Sequence, residues 1–191
     1  MVKDYQAQGL RNGEQEYRIE DRGTGKNSEL SRQHPLSGRL IMEKTILSLG
    51  TSNRNWEEFI TLLGTYSIEM VVDVRSFPTS KFPYFRKEPL LQSLAEKGVG
   101  YYYLGKELGG YRKGGYEAYT QTLEYLVGIE LLERMASRCR SAFLCAERLP
   151  WRCHRRFIGR SLEERGWKVI HVLDEKRIWE DKVPGVKASG A

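Results

Sequence analysis

From residue 44 to residue 173, short apolar runs alternate with segments whose apolar residues recur three and four apart. Lys44-Thr45-Ile46-Leu47-Ser48-Leu49 predicts a strand that ends at Gly50-Thr51-Ser52-Asn53. Asn53 or Asn55 is then placed to cap a helix through Trp56, Phe59, Ile60 and Leu63. Met70-Val71-Val72-Asp73-Val74 predicts a second strand, running straight into Arg75-Ser76-Phe77-Pro78. Leu90, Leu91, Leu94 and Ala95 predict a second helix, with Gly98 as its stop. Residues 99–104 read as a third strand, and about 116–138 as one long helix. Ala142-Phe143-Leu144-Cys145 is an apolar run too short for a helix and long enough for a buried strand. Pro150 suits the first position of a further helix, whose inward face carries Ile158 and Leu162. Residues 168–173 close the series as a fifth strand.

Strands that read as continuous apolar runs, alternating with helices, predict an α/β class. The expected form is three-layer, with a mostly parallel sheet of about five strands flanked by helices. Crossovers between parallel strands should be right-handed. The pattern specifies neither strand order nor oligomeric state, and no internal repeat is visible. Residues 1–41 depart from this pattern, being rich in Gly, Gln, Ser, Asn and charges and poor in aliphatics. Seven Lys and Arg face six Asp and Glu there, so the segment is no basic arm. It predicts a mostly disordered polar leader, with Met42 as an alternative start of the functional chain. Weak edge strands near residues 16–19 and 39–41 are the second reading. The expected single domain spans residues 42–181, and 182–191 form a frayed tail.

Composition narrows the picture only a little. A chain of 191 residues is one domain of ordinary size, able to bury a core. No stretch approaches the roughly 18–20 apolar residues of a membrane span, so no membrane partner is expected. The polar N-terminus lacks the apolar centre of a signal peptide. A net charge of +6 is mildly basic, which admits nucleic acid or another polyanion and equally an ordinary enzyme. Three cysteines without an export signal predict reduced thiols and a cytoplasmic location.

The chemistry gathers where strands end. In a parallel sheet, the carboxyl ends line one edge, where ligands bind. Asp73, Arg75, Ser52 and Glu147 all fall at or just after such ends, as does the turn Cys153-His154-Arg155. Arg148, Arg152, Arg155, Arg156 and Arg160 crowd one segment with no acid among them. Beside free helix N–H groups, such a segment attracts an anion. Asp73 and Arg75 read either as a structural pair, or as a general base with an anion clamp. Glu147 reads as a further carboxylate of the site, or as a partner of Arg148 or Arg152. Cys153 at an arginine-flanked helix start favours thiolate, although no base–orienter motif surrounds it. His154 reads as acid/base, ligand or helix-start hydrogen-bonder. Cys145 reads as a small core residue, and Cys139 carries no signal. The catalytic candidates are therefore Asp73, Glu147, Cys153 and His154. The substrate-binding candidates are Ser52, Arg75, Ser80, Tyr111, Arg112, Arg148 and Arg155.

Cysteine and histidine types permit a zinc site of Cys145, Cys153 and His154. Their spacing matches no recurrent ligand pattern, so no metal ligand is assigned. No cofactor is assigned either: the glycine loop over residues 105–115 lacks both G-x-G-x-x-G and G-x-x-x-x-G-K-[ST]. Its Tyr111-Arg112-Lys113-Gly114-Gly115-Tyr116 reads as a basic lid. Together with Lys81-Phe82-Pro83-Tyr84-Phe85-Arg86-Lys87 it interleaves aromatics with positive charge, which suits bases and phosphates. Alternation along Tyr101-Tyr102-Tyr103 puts at least one of those tyrosines in the core.

These residues also carry a family resemblance. Gly50 and Ser52, Asp73-Val74-Arg75-Ser76-Phe77-Pro78-Thr79-Ser80, Phe85, Leu108-Gly109-Gly110 and the constellation Cys145-x-Glu147-x-x-Pro150-x-x-Cys153-His154-Arg155 resemble the family of domains of unknown function numbered 488. The likeness extends from about residue 45 to residue 174 and implies a compact intracellular α/β domain with no assigned reaction. Family members often carry His or Tyr where this chain has Thr51, so no aromatic or acid/base role is implied at that position.

Three functional readings follow. The first is an enzyme acting on a phosphorylated or nucleotide-like anionic substrate. The second is a nucleic-acid-acting protein of base-handling or repair type, clamping its partner with the two basic-aromatic loops. The third is a non-catalytic module that senses or binds an anion.

Overall fold

All five predicted strands are present in the computed structural model, which describes residues 44–180. The predicted leader over residues 1–41, its two weak strands and the tail over 182–191 lie outside the described residues. Strands β1 (Thr45–Gly50), β2 (Met70–Asp73), β3 (Gly100–Tyr103), β4 (Ser141–Cys145) and β5 (Lys168–Val172) pair in parallel. A sixth strand, β6 (Ile178–Trp179), runs antiparallel to β5 at the sheet margin. The order is β3-β2-β4-β1-β5-β6. Two residues of apolar alternation are too few to be read from a sequence, which is why β6 was not expected.

Helix α1 (Trp56–Thr65) begins at Asn55, whose side chain accepts from the Glu58 amide at 2.7 Å. It and α2 (Lys87–Glu96) cover one face, where Phe59, Leu62, Leu90 and Leu94 meet Leu47, Leu49, Val71, Ala142 and Leu144. The chain after β3 forms two single turns, α3 (Gly105–Leu108) and α4 (Tyr116–Tyr119), then α5 (Leu123–Ala136). Helices α5 and α6 (Arg155–Glu164) cover the other face. There Ile129, Leu132, Ile158 and Leu162 meet Ile46, Val72 and Phe143. Alternate residues of each strand thus feed two separate cores, giving the expected three layers. Each fully buried Leu, Ile or Phe contributes about 1.5–3 kcal/mol, so these two layers hold the fold.

Two helix expectations need correction. The long helix over 116–138 is broken at residues 120–122, because Thr122 caps α5 by accepting from the Tyr125 amide while its hydroxyl bonds the Tyr119 carbonyl. The helix at Pro150 is only a single 3₁₀ turn, Pro150–Arg152. Cys153 then adopts an extended backbone, and α6 starts at Arg155. The amides of Arg152, Cys153, Arg156 and Phe157 are all spent on turn carbonyls.

Chain direction places the edge that matters. Leaving β4, the chain enters α6 on one face, whereas β1 and β2 lead into helices on the other. The connections diverge at the carboxyl end of β4, a topological switch point of the kind at which parallel sheets bind ligands. Backbone bonds tie the loops together there: Thr51 and Ser52 donate to Cys145 and Ala146 carbonyls at 2.9 and 2.7 Å, and Val74 donates to Leu144 at 2.9 Å. The approach is close enough that a Cβ on Gly50 would stand 2.1 Å from the Glu147 carbonyl oxygen.

Candidate functional site

At this switch point, Cys145 ends β4 and the following turn brings Cys153 and His154 back beside it. The ring nitrogen Nδ1 of His154 lies 3.5 Å from Cys153 Sγ and 3.9 Å from Cys145 Sγ. All three donor atoms fall within 4.8 Å of one another. His154 Nε2 stands 3.0 Å from the Val74 carbonyl. A carbonyl only accepts, so Nε2 carries a proton and donates to it, and Nδ1 is the ring nitrogen turned to the sulfurs. The imidazole is held in place by the Tyr116 ring, 5.1 Å away between centroids, and by the backbone of Gly110. A Cβ at Gly110 would stand 2.4 Å from Nδ1, so the Leu108-Gly109-Gly110 segment presses on the ring as only glycine can. Both cysteines are buried and His154 is half-buried. A hydrogen bond from Cys145, then His154 and Arg155, hold the Cys153 thiol well below its ordinary value against the effect of burial. The same sulfur contact, with burial, raises Cys145. Of the two thiols, Cys153 is the one that gives up its proton more readily.

Asp73 lies next to this cluster along the edge, and its carboxylate is fully buried. Oδ1 accepts from the Arg75 amide at 3.1 Å and from Arg75 Nε at 2.8 Å. Oδ2 accepts from Arg75 Nη2 and, at 2.8 Å, from the Tyr101 hydroxyl. Arg75 Nη1 donates to the Phe85 carbonyl at 2.7 Å. Burial disfavours the Arg75 charge, but its bonds to Asp73 outweigh that and raise its pKa. Burial and the Asp73 charge likewise push Tyr101 well above the ordinary phenol value. Asp73 and Arg75 thus form a closed pair that fixes the loop after β2.

Arg155 is equally committed. It is buried, with Nη1 2.7 Å from Ser48 Oγ and Nη2 bonded to the carbonyls of Glu147 and Arg148. His171 Nδ1 reaches the same Ser48 hydroxyl at 2.9 Å. Burial, with Arg155 nearby, lowers His171 to about 3. Arg54, which the sequence did not single out, does the same work after β1. Its Nε donates to the Gly50 carbonyl at 2.9 Å, and its remaining nitrogens bond Glu58 and the Leu173 carbonyl. Three buried arginines therefore stitch the edge loops together, donating to carbonyls, carboxylates and the Ser48 hydroxyl, while Arg155 Nε is buried without a hydrogen-bond partner.

The outer rim is different. Phe77 and Tyr111 are 68% and 80% exposed, and their rings pair at 6.0 Å between centroids. The Tyr111 amide donates to Ser76 Oγ at 2.9 Å, which pins this aromatic pair beside Gly110 and hence beside His154. Glu147 is exposed, its Oε1 3.0 Å from the Leu149 amide. Arg112 bonds the Lys106 carbonyl and stacks over the Tyr119 ring at 4.1 Å. Arg148 reaches the Leu173 carbonyl at 3.3 Å, and Ser80 Oγ accepts from the Phe82 amide at 3.1 Å. Ser52 holds a positive φ of 42° and donates its amide to Ala146. Arg112, Arg148 and Ser80 thus make local contacts and do not join the cluster.

The sequence reading permits a zinc site of Cys145, Cys153 and His154 but leaves Cys145 as a small core residue, because it ends an apolar run. Phe77 receives no role there, being quoted only within Arg75-Ser76-Phe77-Pro78, and Arg54 carries no signal at all. For Cys145 the available signal is the pairing of a strand-end Cys-x-Glu with Cys-His across one short turn. Two shallow hollows lie elsewhere, one lined by Lys44, Glu133 and Trp167, the other by Phe157, Arg160 and Ser161. Neither hollow is lined by a cysteine or a histidine, whereas the edge gathers two cysteines and an oriented imidazole. The edge is a shelf over buried reactive groups.

No curated protein and no solved structure matches this chain. The family model described as "Domain of unknown function DUF488" matches residues 55–162, from the cap of α1 to Leu162 in α6, and includes Asp73, Gly110, Cys145, Cys153 and His154. That match covers more than half of the chain, and the protein belongs to the DUF488 family.

Proposed function

We propose that this protein is an enzyme acting on a phosphorylated, nucleotide-like anion at the carboxyl-end edge of the sheet. The single observation behind this reading is the stacking of two unlike features. An oriented imidazole with two thiols lies under the surface, and an exposed aromatic pair sits beside it. Aromatic faces receive a base with about 1–3 kcal/mol each. The exposed Lys113, Arg152 and Arg156 supply positive charge on the flanking segments for phosphate. Cys153 and His154 are the side chains that carry the chemistry. Asp73, Arg75 and Arg155 serve as anchors of the loops, since the Asp73 carboxylate, the Arg75 guanidinium and both terminal nitrogens of Arg155 bond within the chain.

The test is a panel of nucleoside mono- and diphosphates, with products followed by mass spectrometry. Turnover should fall at least about a hundredfold in Cys153→Ser, the scale of a lost catalytic group, with the fold kept. Phe77→Ala and Tyr111→Ala should raise KM more than they lower kcat. Turnover unchanged in Cys153→Ser would remove the reading. Salt-sensitive binding of a single-stranded oligonucleotide without mononucleotide turnover would make nucleic acid the substrate. Nucleotide binding with no turnover at all would reduce the protein to an anion-binding module.

A further inference from the structure

We propose that Cys145, Cys153 and His154 form a three-ligand site for a zinc-type divalent ion, with one coordination position left for water or substrate. The inference rests on the function proposed above and gives its centre a cofactor class: with the ion held, Cys153 and His154 act as its ligands and the open position is where substrate or water meets it. Three protein ligands with an open fourth position is the arrangement of catalytic zinc, and two thiolates with one imidazole is an accepted donor set for it.

The distances favour this. Zinc–sulfur bonds near 2.3 Å and zinc–nitrogen bonds near 2.0–2.1 Å make the S···N edge of a tetrahedron about 3.6 Å. The observed separations are 3.5 and 3.9 Å. The imidazole is prepared in the way metal-bound histidines are: the distal nitrogen donates to a backbone carbonyl, Val74, which fixes the tautomer and aims the other lone pair. Glycine at 110 lets the backbone lie against the ring beside Nδ1, where any Cβ would clash at 2.4 Å. Two thiolates balance a divalent charge, and soft sulfur donors select zinc over magnesium or calcium.

Competing explanations account for less. A thiol–imidazole hydrogen bond requires one sulfur, and two converge on a single Nδ1 here. A disulfide between Cys145 and Cys153 would need no imidazole aimed at both. The spacing of eight residues between the cysteines matches no recurrent ligand pattern, yet the chain reverses between β4 and α6 and closes the gap in space.

The experiment uses the full-length protein, reduced and stripped with chelator, titrated with cobalt(II) and then zinc(II). The expected result is one equivalent of cobalt with thiolate charge-transfer absorption and intense tetrahedral bands, displaced by zinc. Cys145→Ser and Cys153→Ser should each lose at least tenfold in affinity and weaken the charge-transfer band. Cys139→Ser is the control: its sulfur lies by the Met135 carbonyl and Ser141, before β4 begins, so its titration should match the unaltered chain. Absence of the charge-transfer band in the reduced, unaltered protein overturns the proposal whatever the variants do. An equal band in Cys145→Ser and Cys153→Ser does the same. Metal uptake without nucleotide turnover would keep this site and drop the function. Full turnover by the metal-free protein would keep the function and drop this site.

Discussion

Asp73 is the residue whose role changes most between sequence and structure. As a carboxylate ending an apolar strand, it reads as a possible general base. Its geometry is that of an anchor, because every lone pair facing the loop is taken by Arg75 or Tyr101. Removing one partner of a buried pair strands the other charge, at a cost of about 3–5 kcal/mol. We therefore expect Asp73→Asn to lower unfolding stability by that order in urea denaturation. An intact fold with turnover lost would return Asp73 to catalysis. The same lesson applies to Arg75 and Arg155. Position and type were legible in the sequence, but the carbonyls of Phe85, Glu147 and Arg148 that occupy their donors were not. A guanidinium cluster near a strand end looks alike whether it waits for a ligand or braces a loop. Only the path of the loops distinguishes the two.

Among elements, the strands were the most legible, since a parallel strand buried on both faces leaves an unbroken apolar run. Helix breaks were harder. Thr122 gave the usual N-cap signal, but the continuous spacing of Tyr116, Tyr119 and Tyr125 masked it. At Pro150 the helix signal was real for one turn, and the need to turn Cys153 inward ended it. The packing of α6 on the sheet carries its own polar lock, in which His171 of β5 and Arg155 of α6 share the Ser48 hydroxyl of β1. The Phe143 and Trp179 rings also flank His171. Burial and the Arg155 charge hold His171 at about 3, with Cys153 opposing. The folded pKa is thus depressed below the ordinary 6.5. The unfolded chain then binds the extra proton between those values, so the contribution is complete above pH 6.5 and is lost as pH falls toward 3. One such group changes stability by up to about 1.4 kcal/mol per pH unit. Urea midpoints of His171→Gln between pH 7 and about 4 should depend on pH less steeply than those of the unaltered chain. Parallel curves would mean that His171 is already charged in the fold.

For the whole molecule, the parallel sheet matters because it collects five strand ends on one side and lets distant segments meet. Residues near 76, 110, 145 and 153 are far apart in the chain and adjacent in space, which no spacing rule reveals. The mild positive charge of the chain is consistent with an anionic partner but selects no location for it. The most direct measurement is a titration of isotopically labelled, reduced, full-length protein with adenosine monophosphate, followed by backbone amide shifts and compared with inorganic phosphate. Our account predicts saturable shifts at Ser76, Phe77, Gly110, Tyr111, Cys153 and His154, larger for the nucleotide than for phosphate. Shifts confined to the groove around Glu133 and Trp167, or none at millimolar nucleotide, would contradict it.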